Sequence, residues 1–145
     1  MMFLTIVFII IIVVCVVFLR VHRRLIKKWD SIEALKLELE NIIRLWMDEL
    51  LDVCETSDDD LSELCELYRD AEQHELFSAY FTCKKILKGY IIDEISSIDD
   101  LNNKINELSV KLNVIIEAYN NELVSIPGIA AAKIFLFEKE ELWDV

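Results

Sequence analysis

The sequence predicts an all-α protein: an N-terminal transmembrane helix that continues into an antiparallel bundle of three long helices, with a short helix near the C-terminus. Three observations predict it. The 145 residues include only two Gly and one Pro, a composition of long helices and short connections rather than sheets. Apolar residues recur at alternating three- and four-residue steps through most of the chain, the period of one helical face. The first nineteen residues form an unbroken apolar run that a basic cluster follows at once.

That run is the first element. A helix needs about 20 apolar residues to cross a hydrocarbon core roughly 30 Å thick, and Met2 to Leu19 spans about 27 Å. Phe3, Leu4, Ile9, Ile12, Val16 and Leu19 are typical of it, and Thr5 and Cys15 are its only mildly polar members. About fifteen Ile, Val, Phe and Leu give roughly −5 to −8 kcal/mol on an insertion scale. No Lys or Arg precedes the run and no small-residue cleavage site follows it, which disfavours a cleaved signal peptide. Val14 precedes Cys15, where a lipoprotein signal wants a small residue. A retained anchor is expected. The absence of Gly from the run removes a close-packing G-x-x-x-G face.

Residues 20–28 form a basic collar: Arg20, His22, Arg23, Arg24, Lys27 and Lys28. Positive charge on the C-terminal side alone puts the N-terminus outside and the rest in the cytoplasm. The expected location is the plasma (inner) membrane, spanned once, with membrane lipid as one partner. Ten Lys and Arg accompany all 27 Asp and Glu after Lys28. Residues 29–145 are therefore strongly acidic, which excludes nucleic acid as a partner.

The first soluble helix continues from the anchor to about Glu55, with Ile32, Leu35, Leu39, Ile42, Trp46, Leu50 and Val53 as its seam. Thr56 to Asp60 is read as a break that caps the next helix. It lacks the length and central Gly of a calcium loop. The second helix runs from about Leu61 into the nineties, burying Leu61, Leu64, Tyr68 and Ala71, then Leu76, Tyr80, Cys83, Leu87 and Tyr90. Ser97 and Asp100 are spaced as a capping box for the third. Its seam is Ile98, Leu101, Ile105, Leu108, Leu112, Ile115, Tyr119 and Leu123, and Pro127-Gly128 ends it. An out, back and out path would leave the Pro-Gly turn and the apolar tail Ile129 to Phe137 far from the bilayer. That geometry argues against reading the tail as a membrane-surface helix.

Asn103, Asn113 and Asn120 step by ten and seven and share nearly one helical face. Their amides can fix register or satisfy a helix end, or else line a groove for a partner or ligand. Cys54, Cys65, His74 and Cys83 lack any C-x-x-C spacing, so buried thiols are expected rather than zinc.

The C-terminal third resembles the LemA family, bacterial membrane-anchored helical proteins, on a specific set of residues. The chain reads Asn102-Asn103-Lys104-Ile105, Leu112-Asn113, Tyr119-Asn120, Ile126-Pro127-Gly128, then Ala132, Phe135 and Leu136-Phe137. The family pattern has E-N-[RK]-I, two Y-N pairs, F-P-G and an apolar stretch ending in G-F. Trp29-x-x-Ile32 and the anchor also look like the family's start. The first Y-N is Leu112-Asn113 here, the G-F is Leu136-Phe137, and the middle of the chain is short and hardly diagnostic. The resemblance implies a divergent, shortened member: a membrane-proximal helical bundle, N-terminus outside. It implies no defined activity beyond a link to envelope maintenance, at times beside a membrane metallopeptidase.

No catalytic constellation is legible. His22 and His74 are the only histidines, and neither an H-E-x-x-H nor a phosphate-cradling Gly loop exists. Helical-bundle di-metal sites need E-x-x-H motifs that this chain lacks. The expectation is no enzyme, no cofactor and no metal, and a scaffold or adaptor in the cell envelope. Self-assembly through coiled-coil-like seams and regulation of a membrane peptidase or signalling protein are the alternatives. Phe135, Phe137, Leu142 and Trp143 are the candidate partner contacts.

Overall fold

A computed structural model describes residues 2–54, 71–87 and 96–143. Among these the protein is all-helical: α1 (Met2–Cys54), α2 (Gln73–Leu87), α3 (Ser96–Leu123) and α4 (Ile126–Phe135), with no strand. A segment without regular secondary structure, 137–143, follows α4.

The long α1 has no Gly or Pro from Met2 to Cys54, so nothing in it removes a backbone hydrogen bond or frees the backbone. Its N-terminal portion is long and apolar enough to cross a membrane, and none of that apolar window is buried within the protein. Such a segment satisfies every backbone group internally, as hydrocarbon requires.

The chain forms two compact units. One comprises residues 35–110. Its core is Leu39, Ile43, Trp46, Met47 and Leu50 of α1, Leu76, Ala79, Tyr80 and Cys83 of α2, and Ile98, Ile105 and Leu108 of α3. The Trp46 and Tyr80 rings meet edge-to-face at 5.0 Å, a favoured aromatic geometry. The Tyr80 hydroxyl donates to Asn102 Oδ1 at 3.2 Å. Burial pushes the Tyr80 phenol up to about 12, because the phenolate would lose its solvation. At the edge of this unit Glu40 accepts from Arg44 and from Gln73, and Arg44 also donates to the Ala71 carbonyl.

The other unit comprises residues 1–34 and 111–144. Its core is Val21, Leu25 and Ile32 of α1, Leu112, Ile116, Tyr119 and Leu123 of α3, and Ala131 of α4.

Most expected seam residues are buried, and the seams differ from expectation at a few positions, two of them displaced by one residue. Leu35 and Ile42 are half-buried while Ile43 and Met47 are fully buried, and Ile116 rather than Ile115 faces the core. Each helix buries a stripe wider than a strict three-four seam, as globular bundles do. The second helix begins at Gln73 in the described portion. The expected cap at Thr56 to Asp60, the seam residues Leu61, Leu64, Tyr68 and Tyr90, and the side chains of Val53, Leu87 and Ser97 lie outside the described residues. So do Cys65 and the side chains of Cys54 and His74. Cys83, the remaining member of that set, is buried.

Candidate functional site

Of the residues singled out by sequence, the anchor and collar of α1 and those from Asn113 to Trp143 belong to the second unit described above, whereas Asn103, Lys104 and Ile105 belong to the first. The collar is two-faced. Arg20, Arg23, Arg24 and Lys27 are exposed, while Val21 and Leu25, on the opposite side, are completely buried. A cluster read purely as charge is thus also a packing face, which the sequence analysis missed. The signal was available: Val21, Leu25 and Ile32 continue the apolar stripe of α1 through the basic stretch at helical spacing.

The partner of that face is the end of α3. Glu122 receives Arg24 Nη2 at 3.1 Å and Lys28 Nζ at 3.2 Å. Lys28 also donates to the Ala118 carbonyl at 2.8 Å, and the Trp29 and Tyr119 rings lie 5.9 Å apart. Moving down α1 from Trp29 to Arg24 corresponds to moving up α3 from Ala118 to Glu122. This corrects the expected geometry. The C-terminal end of α3, and with it Pro127-Gly128, lies beside the collar rather than far from the apolar run. The physical reason is charge pairing plus burial: Glu122 sits where two of the collar's cations need a counter-charge, and Leu123 completes the apolar face behind it.

The chain then turns within two residues. Ser125 caps α4: its Oγ accepts the Gly128 N–H at 3.2 Å and donates to the Glu122 carbonyl at 2.6 Å. Pro127 occupies the first turn of the new helix, where a missing N–H costs nothing. Pro127-Gly128 therefore opens a helix as well as following one. Gly128 is buried, and a Cβ there would fall onto the Glu122 carbonyl oxygen. Only glycine allows α4 to fold this closely over the end of α3.

Gly128, Ala131 and Phe135 share one side of α4. Gly128 and Ala131 are buried, and the Phe135 ring packs 5.6 Å from Phe18 and 4.1 Å from His22. Phe137 lies 5.8 Å from His22. The apolar tail thus docks on the last turn of the apolar run. Leu136 ends α4 in the left-handed conformation, φ 57° and ψ 38°. It is the one non-glycine residue with positive φ among the described residues.

Beyond α4 the chain is held to α3 by two asparagines. Asn120 Nδ2 donates to the Glu140 carbonyl at 2.8 Å and Asn120 Oδ1 accepts the Glu140 N–H at 3.0 Å. Asn113 does the same to Trp143, at 2.7 and 2.6 Å. The spacing explains the match. Seven residues of helix advance about 10.5 Å, and three residues of extended chain advance about 10 Å. Two asparagines a heptad apart therefore meet main-chain groups three residues apart. Between them Tyr119 is fully buried, and its hydroxyl has no hydrogen-bond partner among the described residues. Burial and the Glu140 carboxylate together push its phenol up.

Of the two uses weighed for the asparagines, Asn113 and Asn120 fix the chain's own tail, whereas Asn103 is exposed on α3 and Lys104 beside it likewise. Ile105 is a core residue. Ala132 is half-buried and accepts the N–H groups of Leu136 and Phe137. Among the four candidate partner contacts, Phe137 and Trp143 are half-buried in these intramolecular contacts and Phe135 covers Phe18, which leaves Leu142 as the most open of the four. Phe3, Leu4, Ile9, Ile12, Val16 and Leu19, the residues expected to anchor the chain, are all exposed. Among the described residues no group of His, Cys, Asp or Glu is arranged to hold a metal ion. No family model, curated protein or solved structure matches the chain.

Proposed function

We propose that the chain is a non-catalytic, single-pass protein of the plasma (inner) membrane whose cytoplasmic antiparallel helical bundle serves as a scaffold or adaptor in the cell envelope. The observation that carries the reading is the continuity of α1. One helix joins an apolar run with no residue buried to a collar whose cations either face outward or pair with Glu122. Outward Arg20, Arg23 and Lys27 suit anionic headgroups at about 1 kcal/mol each, and the positive-inside bias gives the orientation.

The LemA resemblance supports the same reading through structure-bearing positions. Asn113, Asn120, Pro127, Gly128 and Phe137 all serve the docking of α4 and the tail. Leu136 stands where the family pattern carries glycine, and its backbone has the left-handed conformation that glycine favours.

The test is membrane extraction combined with topology. The full chain should resist alkaline carbonate, and a C-terminal tag should be cleaved by protease in inverted vesicles but protected in intact spheroplasts. Release by carbonate would sink the anchor, and cleavage in spheroplasts would sink the orientation. Crosslinking in native membranes addresses the adaptor role, which fails if no protein partner rises above background.

A further inference from the structure

The helix α4 has no polar face. Its sequence, Ile126 to Phe135, contains one charged residue, Lys133, and no Ser, Thr, Asn or acid. The side formed by Gly128, Ala131 and Phe135 packs against the unit's core and against Phe18 and His22. The opposite side presents Ile126, Ile129, Ala130, Lys133 and Ile134, spaced i, i+3, i+4, i+7 and i+8. That side is open: Ile126 is 88% exposed, Ile134 64% and Ile129 45%, and Leu136 just beyond is 84% exposed. A helix apolar on all sides belongs inside a core or in lipid, not in water.

Its position says which. Phe135 lies against Phe18, the penultimate residue of the apolar run, and against His22 of the collar. The open apolar face therefore begins at the level where the proposed span meets headgroups. The exposed charges of the collar and of α4 itself are cationic, Arg20, Arg23, Arg24 and Lys133, and Glu138 just after Phe137 is the exposed acid closest to them along the tail. Lys133, on the open face, can snorkel to the headgroups while its stem lies among acyl chains. The acidic residues take the opposite course. Asn120 and Asn113 draw Glu138 to Trp143 along α3 in the direction away from Glu122 and the collar, so the negative tail leaves the negative leaflet.

We propose that α4 is an interfacial helix, with the outer face Ile126, Ile129, Ile134 and Leu136 inserted into the same leaflet boundary that the collar contacts. The occupant of this surface is the lipid bilayer. This rests on the reading of residues 2–19 as a membrane span. It reverses the expectation that the tail stands far from the membrane, because the end of α3 lies at the collar.

The full chain is reconstituted in phosphatidylcholine vesicles carrying a phosphatidylcholine with a photoactivatable diazirine on its acyl chain, and labelled peptides are mapped by mass spectrometry. The expected result is acyl-chain label on residues 126–136 as well as on 2–19. Ile134→Glu should abolish or strongly reduce the label on 126–136 and leave that on 2–19 unchanged. Label confined to 2–19 overturns the proposal and spares the anchor. No label on 2–19 overturns the anchor, and the proposal with it. If 126–136 take no lipid label while an added bifunctional amine reagent joins Lys133 of one copy to another, the proposal is overturned in favour of a second copy. Should Ile134→Glu disturb folding, Leu136→Gln, at a site outside α4's packed side, gives the same readout.

Discussion

Asn120 grips Glu140 by both polar groups of a single main-chain residue, donating to its carbonyl at 2.8 Å and accepting its N–H at 3.0 Å. Asn120→Asp keeps the acceptor but replaces the donor with an oxygen facing the carbonyl. Loss of one partner of a half-buried hydrogen-bonded pair costs roughly 1–3 kcal/mol. The tail should detach locally: amide hydrogen exchange at Glu140 and Trp143 accelerates, while α3 stays protected. Asn113→Asp should act in the same way from the other end. Leu142→Ala, at an exposed side chain, should change neither. Unaltered exchange in both Asp variants would mean that side-chain packing holds the tail.

Gly128 and Leu136 bracket α4 and predict opposite outcomes. Gly128→Ala places a methyl group against the Glu122 carbonyl, an overpacking that costs about 1–3 kcal/mol. Leu136→Gly relieves a left-handed residue that is almost fully exposed, a gain of up to about 1 kcal/mol. Thermal denaturation of the detergent-solubilised chain should show a lower midpoint for the first variant and a slightly higher one for the second. A tolerated Gly128→Ala would refute the close crossing of α4 over α3.

The Tyr80 phenol, pushed up to about 12 by burial, predicts how stability depends on alkaline pH. The folded state keeps this proton while an unfolded chain releases it near 10. Stability is therefore fully present below pH 10 and falls between about 10 and 12. Tyr80→Phe should remove this contribution, on the order of 2 kcal/mol across that window, and flatten the alkaline limb. It should also cost some stability at pH 7 through the lost bond to Asn102. Denaturant titrations at pH 8, 10 and 11 check both effects.

Tyr119 predicts the reverse at neutral pH. Its hydroxyl is buried without a partner among the described residues and lies near the Glu140 carboxylate. Removing an unsatisfied buried polar group recovers its desolvation cost. Tyr119→Phe should raise stability by about 1 kcal/mol at pH 7, read as an upward shift of the denaturation midpoint. A loss of similar size would show that the hydroxyl is bonded in solution.

The helices themselves were legible because α1 and α3 are long and strongly periodic, and stripe positions such as Ile32, Leu39, Trp46, Ile105, Leu112 and Tyr119 are all buried. Their exact facing was less so, since Ile42 and Ile43, or Ile115 and Ile116, are equivalent as residue types. Only three-dimensional packing selects between them. The path of the chain was misread for a different reason. Helix lengths alone permit either end of α3 to lie at the collar, and the pairing of Glu122 with Arg24 and Lys28 is a contact over more than ninety residues that no local pattern encodes. The asparagines were noticed as a face, yet their targets are main-chain groups of Glu140 and Trp143, and these leave no trace in side-chain sequence.

That last point has a consequence for how the tail can change. Asn113 and Asn120 recognise peptide groups that every residue except proline provides in full. The instructions for seating the strap are written in α3, and residues 138–143 are read for length and extension rather than identity. Substitutions at Glu138, Lys139 or Glu141 should be silent for docking. Insertion of a single residue between Glu140 and Trp143 would put the strap out of step with a helix that counts in sevens.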